Sequence, residues 1–147
     1  MKYRSSIETS LKILSLLAEH KEYAQYNMPK AIGKDYHTVL RHLQTLEKDG
    51  YVCLVRTEPA KKGGKDKKIY TLTEQGLFRA LCSANLWQDI DKVASNYSDV
   101  IPLVFGKWDF YIAKGLRKEI IMRLQAAVLG LQMSLGRRWY RIVPMDR

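Results

Sequence analysis

The chain has 147 residues, the size of one ordinary domain or of a small domain with an extension. Its 25 Lys+Arg against 15 Asp+Glu leave a formal charge of +10, and a hydrophobic share of 46% is enough to build a core, which argues against a disordered chain. No apolar run approaches the roughly 18 residues that cross a bilayer, the opening MKYRSSIETS has no apolar signal region, and two cysteines, Cys53 and Cys82, are too few for a disulfide scaffold. These features predict a soluble, cytoplasmic protein. Its surplus of positive charge points to a polyanion: nucleic acid, an anionic membrane surface or an acidic partner.

The charge is spread mildly, with 15 Lys+Arg and 9 Asp+Glu in residues 1–80 and 10 and 6 in residues 81–147, so a basic site has to be local. In chain order, Ile7, Leu11, Ile13, Leu14, Leu16, Leu17 and Ala18 recur at helical spacing, with Ser5 or Ser6 as N-cap and an end near His20–Glu22. A short helix follows around Met28-Pro29-Lys30-Ala31-Ile32, opened by Asn27 and ended by Gly33. Asp35 is the next N-cap, and the pattern Val39, Leu40, Leu43, Leu46 closes at Gly50.

Two β-prone runs, Tyr51–Thr57 and Lys68–Leu72, flank a loop rich in Gly and Lys and predict a hairpin. Thr73 opens a helix that the apolar spacing carries through Trp87 to Ala94. Pro102 and Gly106 mark a break. Trp108, Ile112, Leu116, Ile120, Leu124, Val128, Leu131 and Leu135 then predict one long amphipathic helix from Lys107 to Leu135, weakened by Gly115 and Gly130.

At about 100° per residue, Val39, Leu43 and Leu46 share one face of their helix, while His37, Arg41, Gln44 and Lys48 lie opposite, flanked by Thr38 and Thr45. Arg and Gln make bidentate contacts to guanine and adenine edges, and hydroxyls and lysine suit phosphates. Taken alone, such a face is a solvated surface; its setting between a short bracing helix and a projecting hairpin gives it a function. The loop lysines Lys61, Lys62, Lys65, Lys67 and Lys68 face a single acid, Asp66, with Gly63 and Gly64 allowing close approach to a phosphate backbone or minor groove.

The stretch Met28-Pro-Lys-Ala-Ile-Gly-Lys-Asp-Tyr-His-Thr-Val-Leu-Arg-His-Leu-Gln-Thr-Leu-Glu-Lys-Asp-Gly-Tyr-Val52, with Ile69-Tyr-Thr-Leu-Thr-Glu-Gln-Gly-Leu77, resembles the winged helix-turn-helix superfamily of small MarR-, PadR- and ArsR-type regulators. The resemblance covers about residues 5–96; Pro29, Asp35 and Leu40 depart from the usual residues. It implies a mainly α chain with a small antiparallel β-hairpin (α+β). The DNA-binding domain would span residues 1–96, with a recognition helix at about 35–49 and a wing at about 52–72, followed by a helical extension over 97–147.

The expected function is sequence-specific binding of double-stranded DNA by a transcription regulator. The face His37, Thr38, Arg41, Gln44, Thr45 and Lys48 would enter the major groove, and Lys61, Lys62, Lys65, Lys67 and Lys68 would lie on the backbone or minor groove. The alternatives are a winged protein-interaction module and an architectural DNA-binding protein.

The long C-terminal helix carries more apolar surface than a terminal helix needs, which predicts a homodimer; the competing arrangement is a clamp back onto the first domain. Arg137, Arg138, Trp139, Tyr140 and Arg141 form a basic, aromatic tail. Trp87, Trp108, Phe110 and Tyr111 read as packing ahead of a ligand pocket. His37 and His42 diverge on their helix, His20 has no partner ligand, and Cys53 and Cys82 read as small packing residues. With no phosphate loop, nucleophile elbow or zinc-protease pair, neither an enzyme nor a cofactor is expected, and no membrane partner.

Overall fold

The computed structural model describes residues 2–60, 64–83, 86–100, 102 and 105–140, with side chains described over 7–60, 64–82, 86–100, 102 and 105–130. The chain is mainly helical with a small antiparallel sheet: α1 Lys2–His20, β1 Tyr23–Ala24, α2 Met28–Ile32, α3 Tyr36–Lys48, β2 Val52–Glu58, β3 Lys67–Leu72, α4 Glu74–Ser83, α5 Ile90–Asn96, α6 Trp108–Ala113 and α7 Arg117–Tyr140.

Helix α1 runs through the middle of the core, with Ile13, Leu14, Leu17 and Ala18 fully buried, while Ile7 at its first turns is 45% exposed. It ends at Lys21, a non-glycine residue held at φ 65, whose amide bonds the Leu17 carbonyl at 2.9 Å. That left-handed residue turns the chain straight into β1, which pairs with β3 through Tyr23↔Tyr70 and Ala24↔Ile69. A two-residue strand carries no periodicity of its own. The sheet therefore has three strands in the order β1-β3-β2, one more than the hairpin expected from sequence.

Gly33, at φ 81, closes α2 by bonding back to Pro29 at 2.8 Å, and Asp35 caps α3. Between α3 and the sheet, Val39, Leu43 and Leu46 meet Val52, Tyr70 and Leu72 in the core. At the far end of the sheet, Thr73 Oγ1 donates to the Gly50 carbonyl at 2.6 Å and accepts from the Gly76 amide at 3.1 Å, so one hydroxyl joins the α3–β2 turn to the start of α4. Gly76 sits so close to this turn that a Cβ on it would lie 1.8 Å from the Tyr51 carbonyl oxygen.

Two expected helices are divided. The run from Thr73 to Ala94 is interrupted by a 3-10 turn over Trp87–Asp89, in which the Asp89 amide bonds the Leu86 carbonyl at 3.1 Å. The turn re-aims the chain so that Leu86, Ile90, Val93 and Ala94 all bury. The long C-terminal helix breaks at Gly115, whose φ of 73 lets the Leu116 amide return to the Tyr111 carbonyl at 2.9 Å. Apolar spacing continues across that glycine, so periodicity alone reads one helix where there are two. Gly130, by contrast, stays inside α7.

The C-terminal elements join the same hydrophobic cluster as α1–α5 through Phe105, Trp108, Leu124 and Val128. The Trp108 indole donates to Asp91 Oδ1 at 2.8 Å, and Arg117 donates to Asp91 Oδ2 at 2.9 Å, tying the start of α6 and of α7 to α5. Bonding to Arg117, then to Trp108, holds the Asp91 carboxyl below its usual range against the opposing effect of burial. Cys82 is half-buried, donates to the Val128 carbonyl at 3.5 Å, and burial pushes its thiol up.

Cys53 departs from the expected packing role and is exposed. β2 leaves the core after Val52, and the residues on both of its faces from Cys53 to Thr57 are exposed.

Among the described residues no helix is long and apolar enough to cross a membrane. Helix α1 already runs from Lys2, so Ser5 and Ser6 lie inside it and neither is the expected N-cap. The side chains of Arg137, Arg138, Trp139 and Tyr140 and the whole of Arg141 lie outside the described residues.

Candidate nucleic-acid interface

Helix α3 is built to present one face. Asp35, in an extended conformation, accepts from the Thr38 amide at 3.2 Å and from Thr38 Oγ1 at 2.6 Å, satisfying donors of the first turn. These bonds, the side-chain one first, hold the Asp35 carboxyl below its usual range. Burial of Val39, Leu43 and Leu46 at 1%, 0% and 5% exposure then sets the helix rotation. His37, Arg41, Gln44, Thr45 and Lys48 are left on the exposed side, with Thr38 half-buried at its margin.

The two threonine hydroxyls are already engaged. Thr38 donates to Asp35, and Thr45 donates to the Arg41 carbonyl at 3.1 Å. Each offers an outside donor lone pairs, but would donate to a phosphate only by releasing an internal bond. Arg41 and Lys48 form no ion pair among the described residues. His42 turns inward: its Nδ1 lies 3.3 Å from Ser10 Oγ, and burial lowers its pKa.

The β2–β3 arms project beside α3. Register runs from Val52↔Leu72 to Glu58↔Lys67, with an irregularity between Leu54 and Arg56. Arg56 donates to Glu22 at 2.7 Å and to Glu58 at 3.0 Å, fastening the hairpin to the end of α1; these bonds, Glu22 first, push the guanidinium pKa up. Asp66 accepts from the Ala60 amide at 3.0 Å, which closes the loop base. Lys65, Lys67 and Lys68 are exposed and outside any ion pair among the described residues. Lys61, Lys62 and Gly63 lie outside the described residues.

Between α3 and the hairpin runs a groove of about 1070 Å³, walled by Tyr36, Leu40 and Gln44 on one side and by Pro59, Lys65 and Lys68 on the other. Its floor reaches Gln25 and Tyr26 in the turn before α2. Sequence reasoning passes over Tyr26 and Tyr36. Their signal is the pair of tyrosines that brackets the short Pro-containing helix, with Lys30 inside it. Trp87 and Trp108 pack against or within the core, whereas Phe110 is 56% exposed and sits edge-on to Tyr111 at 5.9 Å. No group of His, Cys, Asp and Glu suited to a metal occurs among the described residues.

Comparison of the chain with protein families, with curated proteins and with solved structures gave no match.

Proposed function

We propose that this chain is a sequence-specific, double-stranded-DNA-binding transcription regulator of winged helix-turn-helix type, acting in the cytoplasm. The observation that carries the reading is the division of α3. Its three apolar side chains are buried, while His37, Arg41, Gln44 and Lys48 stand exposed beside a hairpin whose Lys65, Lys67 and Lys68 form no ion pair among the described residues. A helix of this width fits the roughly 12 Å major groove, where Arg41 and Gln44 have the donor geometry for guanine and adenine edges. The lysines of the hairpin supply backbone attraction without reading sequence.

A homodimer through the C-terminal helices completes the reading. Leu124 and Val128 bury against the chain's own core, whereas Met122 and Leu129 are 59% and 56% exposed on the same helix. Phe110, Ile112 and Leu116 are also exposed, on α6 and in the turn after it.

The test is duplex selection from a random library followed by affinity measurement across salt. Arg41→Ala is expected to weaken the selected duplex by about 1–3 kcal/mol and relax base choice at one position. Replacing Lys65, Lys67 and Lys68 by Gln lowers the salt slope by about 0.9 for each phosphate contact removed, with sequence choice unchanged. Equal affinity for unrelated duplexes favours an architectural protein, and duplex affinity unmoved by both sets of changes sinks the DNA reading.

A further inference from the structure

We infer that the groove between α3 and the hairpin binds an unpaired nucleotide of single-stranded nucleic acid, its base stacked on Tyr26 and its phosphates on Lys65, Lys67 and Lys68. The inference takes the placement of nucleic acid along α3 from the proposed function, but its stacking surface is an independent observation.

Tyr26 is 72% exposed, the most open of the large apolar and aromatic side chains described, and Tyr36, facing the same groove, is 39% exposed. A single exposed ring needs no explanation. Two rings lining one groove do, because together they leave a patch of aromatic surface open to water. The Tyr36 ring is also fixed: its hydroxyl accepts from Gln25 Nε2 at 3.1 Å and its ring lies edge-on to His37 at 5.8 Å. Tyr26 in addition borders a second hollow, of about 880 Å³, that is lined by Lys30, so each hollow beside it carries lysine.

The acids around these hollows are occupied within the chain. Glu22 and Glu58 share Arg56, and Asp66 holds the Ala60 amide. Lys30, Lys65, Lys67 and Lys68 have no such partner among the described residues. Open aromatic rings flanked by uncommitted lysines are the chemistry of single-strand binding: the ring takes the face of a base, and the cations track its backbone.

A base inside a duplex has both faces covered by its neighbours. Only an unpaired or frayed base offers one to Tyr26. The groove joins the proposed duplex face through Gln44, which belongs to both, so a single strand emerging from a duplex end or opened segment has a continuous path.

The test uses the full chain and fluorescence anisotropy with three DNA probes: a blunt duplex, the same duplex with a thymidine overhang, and a short oligothymidylate. The overhang is expected to tighten binding over the blunt duplex. Tyr26→Ala is expected to weaken oligothymidylate about tenfold, one stacking contact, and to erase the overhang gain while leaving the blunt duplex unchanged. Tyr26→Trp retains both. An oligouridylate arm tells DNA from RNA as the source of the strand, and binding of either supports the site.

Oligothymidylate affinity unmoved by Tyr26→Ala, or equal displacement of the probe by polyglutamate, overturns the inference. Circular dichroism confirms that the variants fold, as expected for an exposed ring. If the blunt duplex fails to bind while oligothymidylate binds through Tyr26, the duplex reading fails and the stacking site stands.

Discussion

The Tyr97 hydroxyl donates to the Leu17 carbonyl at 2.7 Å, joining the residue after α5 to the last turns of α1. The same oxygen lies 3.2 Å from the Lys21 carbonyl and accepts from the Leu72 amide at 3.4 Å, and the neighbouring Asn96 amide donates to the Glu19 carbonyl at 2.8 Å. The end of α1 and the middle strand of the sheet therefore meet on one fully buried tyrosine. β1 pairs with that strand and α3 packs against α1, so both rest on elements that this tyrosine joins.

Tyr97→Phe removes that hydroxyl and leaves buried backbone groups short of a partner, an expected loss of about 1–3 kcal/mol in denaturant unfolding. Burial pushes the Tyr97 pKa up to about 12, which carries its own sign. The neutral phenol is the form the fold prefers, so its contribution is intact below the unfolded value of about 10 and disappears as pH rises towards 12. Wild-type stability is expected to fall across that alkaline window, and Tyr97→Phe to flatten the part of the fall that belongs to this group.

The cap of α3 has the opposite sign. Asp35 is held ionised by its bonds to Thr38, so its contribution is present above the ordinary carboxylate range and is lost as pH falls through the depressed value. Asp35→Ala is expected to lower the melting midpoint at neutral pH and shrink the acid-side loss. Asp35→Ser, which can still cap, recovers most of the midpoint.

Gly76 and Gly130 separate two uses of glycine. An alanine at position 76 would place its Cβ against the Tyr51 backbone carbonyl, and Gly76→Ala is expected to cost about 3 kcal/mol or more, or to prevent folding. Gly130 has nothing within 4 Å of such a Cβ and lies inside α7, so Gly130→Ala is expected to gain about 0.5–1 kcal/mol of stability. Thermal unfolding of the two variants side by side measures the contrast.

The two faces of α7 predict different failures. Leu124→Ala empties a core position and is expected to destabilise the chain by about 2–5 kcal/mol. Met122→Glu with Leu129→Glu changes two exposed positions and is expected to leave the melting of the separated chain nearly unchanged while converting the proposed dimer to monomer in light scattering. A wild-type chain that is already monomeric refutes the dimer.

Local chemistry made much of this legible from sequence. Asp35 announces its cap, Gly33 its helix end, and the Val39–Leu43–Leu46 spacing sets which face of α3 is buried, because each depends on residues within one or two turns. The hairpin was visible for the same reason, in two β-prone runs around a loop of Gly and Lys.

What the tertiary structure decided depends on groups far apart in the chain. β1 exists only because β3 offers it a ladder, with Lys21 forced left-handed to reach it. Cys53 is exposed because β2 leaves the core after Val52, a matter of which elements pack on the sheet that alternation cannot express. Gly115 divides the C-terminal helix because α6 and α7 must each meet α5 at Asp91. The groove beside Tyr26 is likewise made by three segments that share no sequence pattern. The amino-acid sequence determined the charge, the helix faces and the hairpin; long-range packing decided which of those faces stand together and stay open to a partner.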